Sequence, residues 1–339
     1  MRRGFALALL VLAAAGGVLV ARWQQHAPRA ETPGASSASS TLAATARHCG
    51  APTGDAAHPG MVFVPAGDFR FGSDATFPEE GPSASAHVDG FWMDQTEVTN
   101  AQFAEFVAAT GYRTLAERGV KRSNVAGAPV EAGSAVFRPQ GEGEAMRSFV
   151  NWWQFVPGAD WRHPEGPDSS LAGREQHPVV HVAYEDALAY AKWKGRTLPT
   201  EQQFEYAAQG SGRKNAAGQW ASNTWQGTFP SLNTAADGYA GTAPVACFGA
   251  NPRGLYDLIG NVWEWTTSAY FERHDAADTH AHPGGFDPTQ PAEREVAVVK
   301  GGSYLCSPDY CMRYRPEARI GQSKGLGTAH IGFRTVLNR

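Results

Sequence analysis

The chain has 339 residues and a formal charge of -4, enough for one large domain or two ordinary ones and close to neutral for its size. No Lys/Arg cluster marks its folded part, so nucleic-acid binding through phosphate neutralisation is excluded. Only 18% of residues are charged, and 38 glycines with 22 prolines point to a loop-rich fold.

Arg2 and Arg3 precede an apolar run from Phe5 to Ala21, with Arg22 just beyond it. At about 17 residues the run is long for a cleaved export core and barely able to span a bilayer. Residues 1–21 therefore read as a signal peptide or a signal anchor. Either way the positive flank stays in the cytoplasm. The expected location is exported, periplasmic or anchored to the outer face of a bacterial inner membrane. Residues 22–58 are rich in Ala, Ser and Pro and read as a disordered tether, in which Cys49 falls.

Residues 59–339 read as one α+β domain with little regular secondary structure. A β-like run, Met61-Val62-Phe63-Val64, opens it, and a second strand is expected over His87–Met93. Thr99 and Gln102 form a capping box for a helix carrying Phe103, Phe106 and Val107, stopped by Gly111. Residues 112–174 read as mostly irregular. His177–Val182 reads as a buried strand, followed by helices over Glu185–Lys194 and from Thr200 onward. After Gly210 the pattern predicts no helix, only short apolar runs: Gly254–Leu258, Val262–Trp265, Val296–Val299 and Ile331–Val336.

The sharpest chemical signal is Cys306 and Cys311, on a segment that opens with Gly301-Gly302 and is broken by Pro308. In an exported chain the plain reading is a structural disulfide. A redox pair or a two-thiolate site for a soft ion, Cu(I) being the obvious one, is the alternative. No CxxC or HExxH partner offers zinc a full ligand set. Asn223-Thr224 with Asp237-Gly238-Tyr239, and Asp257 with Gly260, Val262 and Glu264, mix carboxylates and backbone carbonyls as Ca²⁺ sites do, though turn chemistry also explains them. His274, His280 and His282 share a polar loop that reads as solvated. His163, His177 and His181 read as hydrogen-bonding residues of the fold.

Arg196-Thr197-Leu198-Pro199-Thr200-Glu201, Gly260-Asn261-Val262-Trp263-Glu264-Trp265, Gly301-Gly302-Ser303 and Gly332-Phe333-Arg334 resemble the hallmarks of the sulfatase-modifying-factor domain, the fold of the formylglycine-generating enzymes. The resemblance runs from about residue 60 to the end and implies a C-type-lectin-like variant fold. It further implies that Cys306 and Cys311 bind Cu(I). The implied activity is oxidation, with O2, of the cysteine in a Cys-x-Pro-x-Arg segment of an unfolded sulfatase to Cα-formylglycine. Ser303 and Trp263 match positions lining the oxygen and substrate-cysteine pocket, and Tyr310 a neighbouring one. Asn223, Thr224, Asp237 and Tyr239 match one calcium site, and Asp257, Gly260, Val262 and Glu264 the other. Ser307 stands where many members have His, and Pro316 where animal members have a disulfide cysteine. On that basis Cys49 and Cys247 are expected to lie outside the chemistry. Neither Cys306 nor Cys311 is expected to be core packing, and a monomer is expected. The alternatives on this fold are a non-catalytic module with Cys306–Cys311 as a disulfide, or a different oxidase maturing an exported metabolite.

Overall fold

The computed structural model describes residues 49–50, 56–121, 130–139, 152–275 and 295–339. The apolar run at residues 5–21, most of residues 22–58, and His280 and His282 lie outside the described residues.

The fold is α+β and loop-rich, as the sequence predicts. Its centre is a four-stranded sheet in the order Arg319–Ser323, Val296–Lys300, Trp263–Ala269, Ile331–Gly332. The first three strands pair antiparallel, and Ile331–Gly332 joins parallel. All five residues of Val296–Lys300 are buried, which is why this strand reads as an unbroken apolar run rather than an alternating one. A second sheet, Met61–Val64, Phe91–Asp94, Val336–Asn338, ties the start of the described chain to its end. Three two-stranded ribbons complete the β structure: Gly67–Phe71 with Ala84–Val88, Val120–Lys121 with Val130–Glu131, and Gly133–Phe137 with Trp153–Pro157.

Four α-helices are described: α1 (Asn100–Thr110), α2 (Leu115–Arg118), α3 (Tyr184–Trp193) and α4 (Glu201–Ala208). The N-cap reading of α1 holds. Gln102 N donates to Thr99 Oγ1 at 3.2 Å, Thr99 N donates to Gln102 Oε1 at 2.9 Å, and Gly111 ends the helix at φ 67°. Thr200 and Gln203 repeat the device on α4.

Not every element follows the sequence reading. His87–Met93 splits at Asp89-Gly90 into the ends of two strands that belong to different sheets. His177–Val182 is buried as expected but is not a strand. His181 sits at φ 59°, and the segment spends its N–H groups singly, Val179 on Val98 O and His181 on Thr328 O. Ile331–Val336 divides between the two sheets, and Gly254–Leu258 stays irregular. The described residues of the stretch 112–174 are mostly irregular, as read, and include α2 and the strands of two ribbons.

The largest buried cluster lies between α1, α3 and the central sheet, where Phe103, Phe106, Tyr190, Trp265 and Phe333 interlock. Cys306 and Cys311 belong to it, at 1% and 8% exposure, so the expectation that neither is core packing is corrected. A separate aromatic cluster gathers Trp152, Trp225, Phe229, Tyr304 and Leu305. Cys49, placed by composition in the tether, is disulfide-bonded to Cys247, and Gly50 N donates to Ala246 O at 2.9 Å beside it. His163, His177 and His181 hydrogen-bond within the fold as expected, to Asp160, Thr242 and Ser134. His274, read as solvated, instead stacks on Phe71 at 4.2 Å with its ring nitrogens buried.

Candidate active site

The central strand ends at Lys300, and the chain turns sharply through Gly301 (φ 92°) and Gly302 (φ 78°). A side chain is excluded at both. A Cβ on Gly301 would lie 2.8 Å from Leu258 O, and one on Gly302 would lie 2.3 Å from Arg313 O. The backbone after the turn is pinned at each step. Tyr304 N donates to Asn261 O (2.9 Å), Cys306 N to Ser303 O (2.9 Å) and Trp225 N to Cys306 O (3.1 Å). Cys311 N and Met312 N both donate to Ser307 O, curling the segment back on itself, and Met312 takes φ 47° to close the curl.

That curl brings Cys306 Sγ and Cys311 Sγ to 2.6 Å. Both thiols are free, so the disulfide reading of this pair is corrected. Their protons are unequally held. Burial first, then the neighbouring sulfur, pushes the Cys306 thiol well above its ordinary range. The hydrogen bond from Cys306 lowers Cys311, with the backbone N–H and guanidinium of Arg313 adding to it. The two shifts run in opposite directions, so Cys306 holds its proton more tightly than Cys311 does. Arg313 is itself fixed, paired with Glu79 at 2.5 Å and lying over the Phe77 ring at 4.2 Å.

Of the other residues singled out, Trp263 packs in the same core cluster as the two sulfurs. Ser303 is fully buried, with its Oγ accepting from Leu305 N at 3.2 Å. Tyr310 stands apart at the surface, 43% exposed, stacked on Phe229 at 4.2 Å and edge-on to Trp152 at 5.7 Å. Glu79, which pairs with Arg313 beside the cysteine loop, carries no sequence signal of doing so, because its contact comes from a distant segment.

Two adjacent buried sulfurs, with no cluster of three or more His, Cys, Asp or Glu among the described residues, make a donor set that fits a soft monovalent ion and not zinc. Around the first calcium set, Asp237 accepts from Thr224 N (3.1 Å), Tyr239 N (3.0 Å) and Gln226 Nε2 (2.7 Å), and the Gln226 amide also donates to Thr224 O. Asn223 Oδ1 is buried there without a partner. The second set lies against it, since a Cβ on Gly260 would fall 2.2 Å from Asn223 O. Both Glu264 oxygens are taken by Arg334, at 2.7 and 2.8 Å, and Asp257 Oδ2 accepts from Ala246 N at 2.6 Å. Beside them Glu97 is fully buried with neither carboxylate oxygen bonded. Burial raises the pKa of Glu97, of Glu264 and, to about 6, of Asp257. The three carboxyl groups lie around the single Arg334 guanidinium, and burial favours their protonated forms. Glu97 is the residue the sequence reading missed, because Glu97-Val98-Thr99 looks like the lead-in to a helix cap.

Residues 50–339 match the sequence profile of the sulfatase-modifying factor enzyme 1-like domain. The formylglycine-generating enzyme of Mycobacterium tuberculosis is 46% identical over 289 residues, covering 81% of this chain and 97% of its own. That of Thermomonospora curvata is 44% identical, over 81% of this chain and 92% of its own. The inactive Cα-formylglycine-generating enzyme 2 of Mus musculus is 37% identical, over 83% and 86%. Among solved structures, PvdO from Pseudomonas aeruginosa shares the fold, with a TM-score of 0.50 at 23% identity, over 81% of this chain and 93% of that one. The chain belongs to the family of the sulfatase-modifying factor enzyme 1-like domain.

Proposed function

We propose that this chain is a formylglycine-generating oxidase acting on the cysteine of a Cys-x-Pro-x-Arg segment in an unfolded or nascent sulfatase. The observation that carries the reading is the free, buried Cys306/Cys311 pair on its glycine-turned loop, in a chain 46% identical to an enzyme of that name. The substrate thiol on its methylene carbon, O2 and two reducing equivalents (two electrons and two protons) from a thiol give the aldehyde, hydrogen sulfide and water, which balances atoms and electrons. Cu(I), held by Cys306 and Cys311, would supply a thiophilic centre for the substrate sulfur and a one-electron route to O2. The chain's own residues do the rest. Of the two thiols, Cys311 is the readier to lose its proton and offer a thiolate. Gly301 and Gly302 let the loop sit against Leu258 and Arg313. Trp263 packs in the sulfurs' core cluster, Ser303 accepts from Cys306 N through its carbonyl, and Tyr310 with Phe229 would offer an aromatic surface to an incoming peptide. Ca²⁺ at Asn223, Thr224, Asp237 and Tyr239, and at Asp257, Gly260, Val262 and Glu264 with Glu97, would brace the loops behind the cysteine turn.

The same proposal takes residues 1–21 as an export segment, cleaved or anchoring, 22–58 as a tether and 59–339 as a monomeric catalytic domain outside the bacterial cytoplasm. The Cys49–Cys247 disulfide supports an oxidising compartment.

The test is purified protein with Cu(I), a thiol reductant and a Cys-x-Pro-x-Arg peptide, read by mass spectrometry. The peptide is expected to lose the elements of hydrogen sulfide (one sulfur and two hydrogens) and gain one oxygen, and Cys306→Ala to convert none. The inactive mouse relative motivates a second reading, a binding module. Peptide binding without conversion by the copper-loaded protein would establish it instead.

A further inference from the structure

A cavity of about 270 Å³ opens on the other side of Tyr304, two residues before Cys306, and none of the roles above uses it. At its floor stands Asn100, the first residue of α1 and 4% exposed. Its Nδ2 donates to Arg174 O at 2.9 Å, while its Oδ1 is buried and accepts nothing. A buried acceptor in a space this large calls for a donor from water or a ligand. The charges around it cancel. Arg174 pairs with Glu165 at 2.5 Å. His177 Nδ1 is hydrogen-bonded with Thr242 Oγ1 at 2.9 Å, and burial with the Arg174 charge holds its pKa down to about 4, so it is neutral. A net-neutral cavity with apolar walls and an orphan acceptor suits neither a free anion nor a free cation. A peptide backbone, neutral and carrying both N–H and C=O groups, suits it.

The cavity's neighbours point the same way. Phe137, on its wall, packs on Phe229 at 5.7 Å, and Phe229 in turn stacks under the exposed Tyr310. Tyr304, the wall opposite, leads directly into the cysteine turn. A chain lying on the aromatic surface therefore has this cavity within reach.

The geometry points to a subsite for the residues that flank the target cysteine in the substrate polypeptide. A backbone N–H of that flank donates to Asn100 Oδ1, and a carbonyl accepts from Arg174. This rests on the substrate reading above. The test uses two peptides, the Cys-x-Pro-x-Arg core alone and the same core extended on both sides, each also made with Ser for Cys so that affinity can be read without turnover. The extended peptide is expected to bind the full chain more tightly than the core. Asn100→Leu and Arg174→Ala are each expected to raise its Kd and KM on the order of tenfold, the worth of one hydrogen bond, leaving kcat and both constants for the core unchanged. Arg174 is 40% exposed at its side chain, so Arg174→Ala keeps the test alive should Asn100→Leu fail to fold. Equal affinity of wild type for the two peptides, or variants that weaken both alike, would overturn the subsite while conversion of the core keeps the enzyme reading standing. Wild type that binds and converts neither peptide removes both.

Discussion

Cys306 and Cys311 are buried, hydrogen-bonded thiols whose pKa values are pushed in opposite directions, up for Cys306 and down for Cys311. Replacing either by Ala removes a soft ligand and half of the hydrogen-bonded pair, so turnover is expected to vanish. Because both thiols sit in the main core cluster, the change also leaves a small cavity costing about 1 kcal/mol, a drop of a few degrees in Tm. An active Cys311→Ala protein would end the two-sulfur account. Glu97 poses the opposite problem, a carboxylate with too few partners. Bound only by the native state, Ca²⁺ would stabilise by about 2.7 kcal/mol at a hundredfold excess over its Kd. EDTA is therefore expected to lower Tm, and Glu97→Gln to shrink that calcium-dependent shift. Superimposable melting curves with and without EDTA would sink the calcium assignment.

Helix α3 begins without a capping side chain of its own at Ala183, and Asp186 carries the whole start. Its carboxylate accepts from Ala183 N at 2.7 Å, Leu115 N at 3.0 Å and Tyr112 OH at 2.9 Å, joining α3 to the start of α2. Burial outweighs these bonds and raises its pKa to about 6 from an ordinary 3.8. A raised acid pKa means the folded state holds the proton more tightly than the unfolded chain. Its contribution is thus full below the ordinary value and is lost as pH rises through about 6, a swing of roughly 3 kcal/mol. Thermal melts between about pH 4 and 7 should show this fall, and Asp186→Asn should make it shallower, not flat, since Asp257 titrates in the same direction. An unchanged slope in Asp186→Asn would show that its burial is relieved some other way. Elements like α1 and α4 are legible in sequence because their capping boxes are local, Thr99 with Gln102 and Thr200 with Gln203. The strand over His87–Met93 is not, because which sheet each half joins is set by partners far along the chain, Gly67–Phe71 for one and Met61–Val64 for the other. The same holds at the site. Cys306, Cys311 and the glycine pair announce themselves within a dozen residues, whereas Glu79, Glu97 and Trp225 reach their positions only through the fold.

At the scale of the whole molecule, long-range ties replace regular structure. The strand Val336–Asn338 pairs with Phe91–Asp94, and Arg334 joins Glu264 to the carbonyls of Asp94, Gln95 and Tyr256. The Cys49–Cys247 disulfide belongs to this set, since composition alone assigns Cys49 to a tether while the bond fastens it to the body across 198 residues. It also abuts the acidic cluster, for Ala246, next to Cys247, gives its N–H to Asp257. Closing a loop of that length restrains the unfolded chain by up to roughly 5 kcal/mol. Cys49→Ser with Cys247→Ser, or reduction of the native protein, is therefore expected to lower Tm by many degrees while leaving peptide conversion at low temperature intact, because neither Cys49 nor Cys247 belongs to the core cluster that holds Cys306 and Cys311. The variant pair separates this bridge from Cys306 and Cys311, which reduction alone does not. A non-reducing peptide map lacking the Cys49–Cys247 cross-link in active, exported protein, or a double variant as stable as wild type, would show that the tie is dispensable and that the sheets alone hold the body together.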